Sequence, residues 1–216
     1  MEISYLKEWL SYGLSLAALV AGFVAYFIGK IIKKKKKTKD IISPELDFPE
    51  HFWDVHVNLQ ETLTELRIKL DCARANLIQF HNSGYFFNGI SMKKMSLTHE
   101  SLERSISSEI SNHQDLLMSM FLPILEIVRK DSSALYHVSD MEDSYAKQHL
   151  ESSNIIAFSI LPVQQNNNII GYIMAQWCSW NKVENIDVSL VEDWINRSQT
   201  LVEVELINQK RKMKHK

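Results

Sequence analysis

Residues 155–177 read IIAFSILPVQQNNNIIGYIMAQW, in which two apolar runs flank a polar segment at residues 164–168. The runs are rich in isoleucine and aromatic residues, which favour strands, and a short polar connection favours a chain reversal. The segment therefore predicts a β-hairpin. Apolar side chains occupy both alternating sets of positions in each run, so we expect helices to cover both faces of the sheet that contains it.

The segments on either side of the hairpin predict helices and further strands. Pro123 falls inside an apolar helical pattern, so we expect that helix to be kinked or divided near Leu122. Residues 139–142 and 189–192 each form a capping-box pattern, which predicts that a helix begins there. In chain order we expect a helix over residues 51–73, strands over 74–81 and 95–102, the divided helix over 115–130, a strand over 134–138, a short helix to about residue 150, the hairpin, and a helix over 189–209.

This order of elements predicts an α+β fold with a central, mostly antiparallel sheet of about five strands flanked by helices. It resembles a GAF-type sensor domain over about residues 52–209. The likeness lies in the first helix leading into the strand at residues 75–81, in a hairpin with Pro162 in its first run and Gly171 in its second, and in the closing helix. The resemblance implies a pocket for a small molecule or chromophore and a dimer formed through the first and last helices.

The cofactor of such a pocket stays unknown from the sequence. The signature of the family's cyclic-nucleotide binders is absent, and neither Cys72 nor Cys178 lies in a recognisable bilin-attachment setting. The two isolated cysteines suit a reducing compartment, and no metal site is indicated. No catalytic motif such as H-E-x-x-H or G-x-S-x-G is present, so we expect no enzyme activity.

Residues 9–32 predict a transmembrane helix. About 20 residues between Glu8 and Lys30 carry no charge, which is enough to cross the hydrocarbon core of a bilayer. Five consecutive lysines follow, and the positive-inside rule then places the C-terminal side in the cytoplasm. We expect them to contact anionic lipids at the surface of the cell (inner) membrane: Lys33, Lys34, Lys35, Lys36 and Lys37.

The charge is distributed unevenly along the chain. Residues 41–209 carry 11 Lys and Arg but 23 Asp and Glu. A body this acidic repels phosphate backbones, so nucleic acid is not an expected partner. The predicted organisation is a short extracytoplasmic segment (1–8), the transmembrane helix (9–32), a basic juxtamembrane linker (33–50), the GAF-like soluble domain (51–209) and a basic tail (210–216).

Two groups of residues are candidates for binding. An aromatic, glycine-flanked segment after the first strand could line a ligand pocket, although its polar residues could instead cap the strand end while its aromatic rings join the core: His81, Asn82, Tyr85, Phe86 and Phe87. A narrow apolar seam on the first helix could pair with a second copy or with the last helix: Leu59, Leu63, Leu66 and Leu70.

Two functional hypotheses follow from these features. The first is a single-pass membrane protein that presents a dimeric, non-catalytic GAF-like domain to a small ligand or a protein partner. The second is a structural or scaffold membrane protein, of the kind a phage could encode, that uses the fold only as an assembly surface.

Overall fold

The computed structural model describes the backbone of residues 50–85 and 87–214 and the side chains of residues 53–85 and 87–208. The elements follow the predicted order, with one short strand and one short helix added. The helices are α1 (Glu50–Lys69), α2 (Leu122–Lys130), α3 (Tyr145–Ser152), α4 (Trp180–Glu184) and α5 (Val188–Lys214), and the strands are β1 (Arg74–Tyr85), β2 (Ser91–Leu102), β3 (Leu116–Leu117), β4 (Leu135–His137), β5 (Ala157–Gln165) and β6 (Asn168–Trp177).

The six strands form one sheet in the order β3-β2-β1-β6-β5-β4, and all neighbours are antiparallel. The α+β class and the antiparallel sheet are confirmed, with six strands in place of about five. The additional strand β3 has two residues, which pair with Lys94 and Met95. A strand this short has no periodicity that a sequence pattern could reveal.

Strands β5 and β6 form the predicted hairpin, but its turn is shorter than predicted. Only Asn166 and Asn167 connect the strands, with φ of 51° and 61°. Two consecutive residues with positive φ match the twist of a tight hairpin, and asparagine tolerates this conformation better than most residues. The hairpin therefore pairs the two apolar runs, with one register shift between Val163 and Gln164, and places β6 beside β1.

Helices cover both faces of the sheet, as predicted, and each face has its own core. On one face, called the helix face, α1 and α5 pack on the strands. On the opposite face, α2, α3 and the turn before α2 pack on the strands and enclose a cavity, so this face is called the cavity face. The helix-face core includes Leu63, Leu77, Ile173, Trp177, Ile195 and Val202. The cavity-face core includes Ile78, Leu97, Phe121, Ile124, Leu150 and Phe158.

A β-bulge makes β2 contribute to both cores. Alternation predicts that residues 95, 97, 99 and 101 share one face, but Leu77 pairs with His99 while Ile78 pairs with Leu97, which leaves Thr98 as an extra residue. The bulge reverses the alternation. As a result, Leu97 lies in the cavity-face core, whereas His99 contacts His56 of α1 on the helix face.

Both predicted capping boxes are wrong, because a neighbouring side chain caps each helix. The Ser144 hydroxyl accepts a hydrogen bond from the Lys147 backbone N–H at 3.2 Å, so α3 begins at Tyr145. The Asp187 carboxylate accepts hydrogen bonds from the backbone N–H groups of residues 189 and 190, so α5 begins just after it. The break of the 115–130 segment near Leu122 is confirmed, but the prediction of a helix before it is wrong, because residues 116–117 form β3 and residues 118–121 form a 3₁₀ turn.

The predicted membrane anchor lies outside the described residues, as do Lys33–Lys37 and Phe86. No helix within the described part of the chain is long and apolar enough to cross a membrane. The span over residues 9–32 stays a prediction.

Candidate functional site

An enclosed cavity lies between the sheet and the helices on the cavity face. Its volume is about 30 Å³, which is room for one or two water molecules. Nine of its lining residues are apolar or aromatic and four are polar. They are Ile78, Met95, Leu97, Leu116, Phe121, Ile124, Leu150, Tyr172 and Met174, with Asn76, His113, His149 and Gln176.

The side chains of Asn76 and Gln176 form part of the polar wall of the cavity. They come from the adjacent strands β1 and β6 and are 2% and 4% exposed. Asn76 Oδ1 and Gln176 Oε1 have no hydrogen-bond partner among the described residues. A buried acceptor without a partner costs about 1–3 kcal/mol, so this wall favours a molecule that donates hydrogen bonds.

His113 and His149 complete the polar wall. The Nε2 atoms of the two rings are within hydrogen-bond distance, and the edge of the His149 ring packs against Phe121. Such a bond needs one N–H donor and one unprotonated nitrogen, so the contact is lost when both rings are protonated. Burial is the main cause that lowers the pKa of His149, and the nearby His113 lowers it further.

A buried ion pair lies beside the two histidines. Arg74 Nη2 is 3.3 Å from Glu109 Oε1, and the two side chains are 6% and 9% exposed. Arg74 also donates hydrogen bonds to the carbonyl oxygens of Ser153 and Ser107. Its Nε and Glu109 Oε2 have no hydrogen-bond partner within the described residues. The pair therefore retains unused hydrogen-bonding capacity.

An open polar groove of about 430 Å³ lies on the far side of His113 and His149. Both histidines line the groove as well as the cavity, so the two spaces adjoin at these side chains. The other groove residues are mostly polar: Arg74, Ser105, Ile106, Ser107, Ser108, Glu109, Asn112, Ser152, Ser153, Asn154 and Cys178.

The residues predicted to bind a ligand lie elsewhere, on a hairpin arm formed by residues 80–93 of β1 and β2. The pairing of β1 with β6 ends at Gln79, so the arm is paired with β2 but not with β6. His81 Nε2 is 2.9 Å from Ser96 Oγ, and Asn82 Oδ1 accepts a hydrogen bond from Lys93. The cavity and groove linings do not include the predicted residues that the structure describes: His81, Asn82, Tyr85 and Phe87.

The leucines predicted to form a dimer seam lie inside the domain. Leu59, Leu63, Leu66 and Leu70 are at most 7% exposed and belong to the helix-face core. The heptad spacing correctly identifies an apolar stripe on α1, but the chain's own sheet and α5 cover that stripe. Because these four side chains are buried within the domain, they are not accessible to a second copy in this fold.

The two cysteines have different surroundings. Cys72 is buried on the helix face, where desolvation raises its pKa to about 12. Cys178 is half-buried in the groove, and desolvation also raises its pKa. Neither thiol is activated as a nucleophile. Within the described residues, no cluster of three or more His, Cys, Asp or Glu side chains could hold a metal ion.

Sequence reasoning missed the polar residues of the cavity wall and the ion pair, although the strands carry a signal for some of them. Arg74, Asn76 and Gln176 interrupt otherwise apolar strands, and in each strand they belong to the alternating set that faces the cavity. Polar residues in strands covered on both faces must find buried partners. No pattern links Glu109, His113 and His149 to them, because these residues are distant in sequence.

Known structures resemble this arrangement, whereas family models and curated protein sequences give no match to the chain. The PixJ GAF domain of Thermosynechococcus elongatus, in its blue-light absorbing form, aligns with a TM-score of 0.50 at 13% identity, over 78% of this chain and 97% of that one. A red/green cyanobacteriochrome in its red light-absorbing state aligns with a TM-score of 0.51 at 18% identity, over 76% and 99%. The chain has a GAF-like fold.

A third similar structure is the phycoerythrobilin-bound GAF domain from a cyanobacterial phytochrome, with a TM-score of 0.50 at 12% identity over 72% of this chain and 88% of that one. The cavity here does not fit such a chromophore, because pockets for ligands of drug size or larger have volumes of about 300–1,000 Å³. Cys72 is also on the opposite face of the sheet. The likeness therefore concerns the fold, and we derive no bilin chemistry from it.

Proposed function

We propose that this chain is a single-pass membrane protein whose cytoplasmic GAF-like domain senses a small molecule on the cavity face. The observation that carries the proposal is an apolar cavity with the partnerless oxygens of Asn76 and Gln176 in its wall. Water molecules that fill the cavity in the absence of a ligand would donate hydrogen bonds to these oxygens, and a ligand with an N–H or O–H group would replace them. The role we propose involves no catalysis.

The lining suggests the chemistry of the ligand. Apolar and aromatic side chains form most of the wall, and the partnerless oxygens call for N–H or O–H donors. A small aromatic or aliphatic molecule with a donor group at one end matches this lining. Because the closed cavity has room for only one or two water molecules, such a ligand needs the cavity to widen into the groove. It would enter from the polar groove by separating His113 from His149, which joins the cavity to the groove.

Signal output would pass through the membrane anchor or through a partner. α1 follows the predicted anchor after the linker and packs on the sheet, so a change at the sheet reaches it through the helix-face core. We also propose a dimer through the outer surfaces of α1 and α5. Exposed apolar residues on these surfaces support that choice: Trp53, Val57, Leu201 and Val204.

A thermal-shift measurement with phenol tests the sensor proposal. Phenol has an apolar ring and one O–H donor, and a ligand that binds only the folded state raises its melting temperature. We expect a rise for the parent chain and none for Leu116→Phe, which fills the cavity from its edge. Leu135→Phe is the matched control, because Leu135 is half-buried against the other core, and it should keep the rise. An equal rise in both variants would refute binding in the cavity.

The scaffold hypothesis is the alternative, and the small volume of the cavity favours it. It predicts no phenol effect and no small molecule retained by the full chain in native mass spectrometry.

Reporter fusions at each terminus test the anchor, and an extracytoplasmic C-terminus would exclude the proposed topology. Val57→Glu tests the dimer: the change should give monomers in size measurements, because a charge would enter an apolar contact.

A further inference from the structure

Three large apolar side chains at the end of the hairpin arm are exposed. Tyr85 is 77% exposed, Phe87 is fully exposed and Ile90 is 59% exposed. Large exposed apolar side chains grouped around one turn indicate an interaction site. The cavity proposal gives these side chains no role, since none of them lines the cavity or the groove.

The charge of the arm is opposite to that of the domain that carries it. Residues 72–99 contain no Asp or Glu, whereas residues 41–209 contain 23. Lys93 lies on the arm, and Lys94 follows it on β2, where its ammonium is 3.7 Å from Asp115 Oδ1. Aromatic rings with adjacent lysines suit the interface of a bilayer, where the rings sit among the headgroups and the ammonium groups meet anionic lipid phosphates.

The arm and the start of α1 lie toward the same end of the domain. Thr64 of α1 contacts Ser101 of β2 at 3.1 Å, and His56, two turns earlier, contacts His99 at 2.8 Å. Moving toward the N-terminus of α1 therefore means moving along β2 toward the arm. Only residues 38–49 separate the five consecutive lysines from α1, and 12 residues span at most about 43 Å.

From these observations we infer that the tip of the arm, formed by Tyr85, Phe87 and Ile90, inserts into the surface of a membrane containing anionic phospholipid. The inference goes beyond ligand sensing and relies on the proposed anchor only for bringing the arm to the bilayer. The arm gives the domain a second membrane contact, which fixes its orientation relative to the bilayer.

The test places an environment-sensitive fluorophore on the full chain reconstituted in phosphatidylcholine vesicles with or without phosphatidylserine. Asn88→Cys places the label on the arm. Glu184→Cys places the control label on α4, because the contact of Lys182 with Asp71 puts α4 at the start of β1, and the arm lies at the other end of that strand. The parent chain, labelled in parallel, corrects for Cys72 and Cys178. With phosphatidylserine present, we expect a blue shift and quenching by nitroxide lipids for the arm label only.

Substitutions then separate the two contributions. Tyr85→Ser with Phe87→Ser should abolish the blue shift, and Lys93→Ser with Lys94→Ser should reduce it to the value in vesicles without phosphatidylserine. An arm label that stays in water in both vesicle types would overturn the inference, as would equal quenching of both labels. A shift that appears without lipid and grows with protein concentration would assign the tip to a second copy instead.

Carbonate extraction of the same vesicles reports on the anchor separately. If the chain is extracted, the anchor proposal fails, while the arm label still reports whether the tip contacts vesicles to which the full chain is added. Insertion of the anchor with a label that remains in water would refute the arm inference alone. The phenol measurement is independent of both results, because it reads the cavity.

Discussion

The two faces of one sheet bury different kinds of surface. The helix face buries a nearly continuous apolar core, and two of its buried polar side chains, His99 and Ser101, are hydrogen-bonded to α1. The cavity face buries the Arg74–Glu109 ion pair and two amide oxygens without partners, beside an unfilled space. The same strands supply both faces. The difference therefore comes from which residues of each strand belong to each face and from the segments that pack over them.

This difference indicates a division of roles between the faces. A well-packed apolar core stabilises the fold, while unpartnered polar groups reduce a net stability that is only about 5–15 kcal/mol in typical domains. The helix face can therefore supply the stability that allows the cavity face to keep an adaptable, polar site. Four measurements test this division, beginning with the one of largest expected effect.

Breaking the ion pair should cost more than any change on the surface. Glu109→Gln leaves the Arg74 guanidinium buried without its counter-charge, and we expect a loss of about 3–5 kcal/mol in the free energy of unfolding. Replacing both residues with Met and Leu should be nearly neutral. Glu65→Gln is the control, because Glu65 and Arg197 are exposed, and it should change stability by less than about 1 kcal/mol. Urea unfolding measures all three.

Truncating one leucine on each face compares the packing directly. Leu63 on the helix face and Leu97 on the cavity face are both almost fully buried. Leu63→Ala should cost about 3–5 kcal/mol, and Leu97→Ala about 2 kcal/mol, because Leu97 already borders a cavity and makes fewer contacts on that side. Equal losses in urea unfolding would show that the cavity face is packed as tightly as the helix face.

Acid should weaken the two faces through two different histidine pairs. Desolvation mainly, and then the charge of His56, lowers the pKa of His99 from 6.5 to about 4. Between these pH values the unfolded chain binds a proton that the folded chain does not, so stability falls as pH falls from 6.5 to about 4.

Removing one histidine from each pair identifies the source of this pH dependence. His99→Gln should flatten the dependence of unfolding free energy on pH across that window. His149→Gln should flatten it as well, because burial lowers the pKa of His149 too, and only this variant should also alter the phenol response. A profile that neither variant changes would assign the acid sensitivity to other groups.

The smallest expected effect concerns the amide in the cavity wall. Asn76→Leu removes a buried oxygen without a partner, and we expect unfolding free energy to stay the same or rise by up to about 1 kcal/mol. The phenol-induced rise in melting temperature should shrink, because the donor loses its acceptor. A clear loss of stability would mean that Asn76 supports the fold rather than a ligand.

Elements with long, regular patterns could be predicted from the sequence. The apolar runs of residues 155–177 specify the hairpin, and the spacing of the leucines specifies the buried stripe of α1. The capping predictions were wrong because other nearby side chains can also accept hydrogen bonds from the first helical N–H groups. Ser144 and Asp187 cap the helices instead of the residues within the predicted boxes. The bulge at Thr98 has no sequence pattern of its own, and it changes which face His99 occupies.

The sequence by itself determined the α+β class, the antiparallel sheet covered on both faces, and the acidic body with an acid-free segment at residues 72–99. These properties follow from local periodicity and composition, which act over a few residues. Only the tertiary structure decided that Arg74 meets Glu109 and that His113 meets His149, because pairing of distant segments sets those contacts. It also placed the aromatic segment on a hairpin arm that pairs with β2 alone, since the neighbouring strand β6 stops pairing with β1 at Gln79.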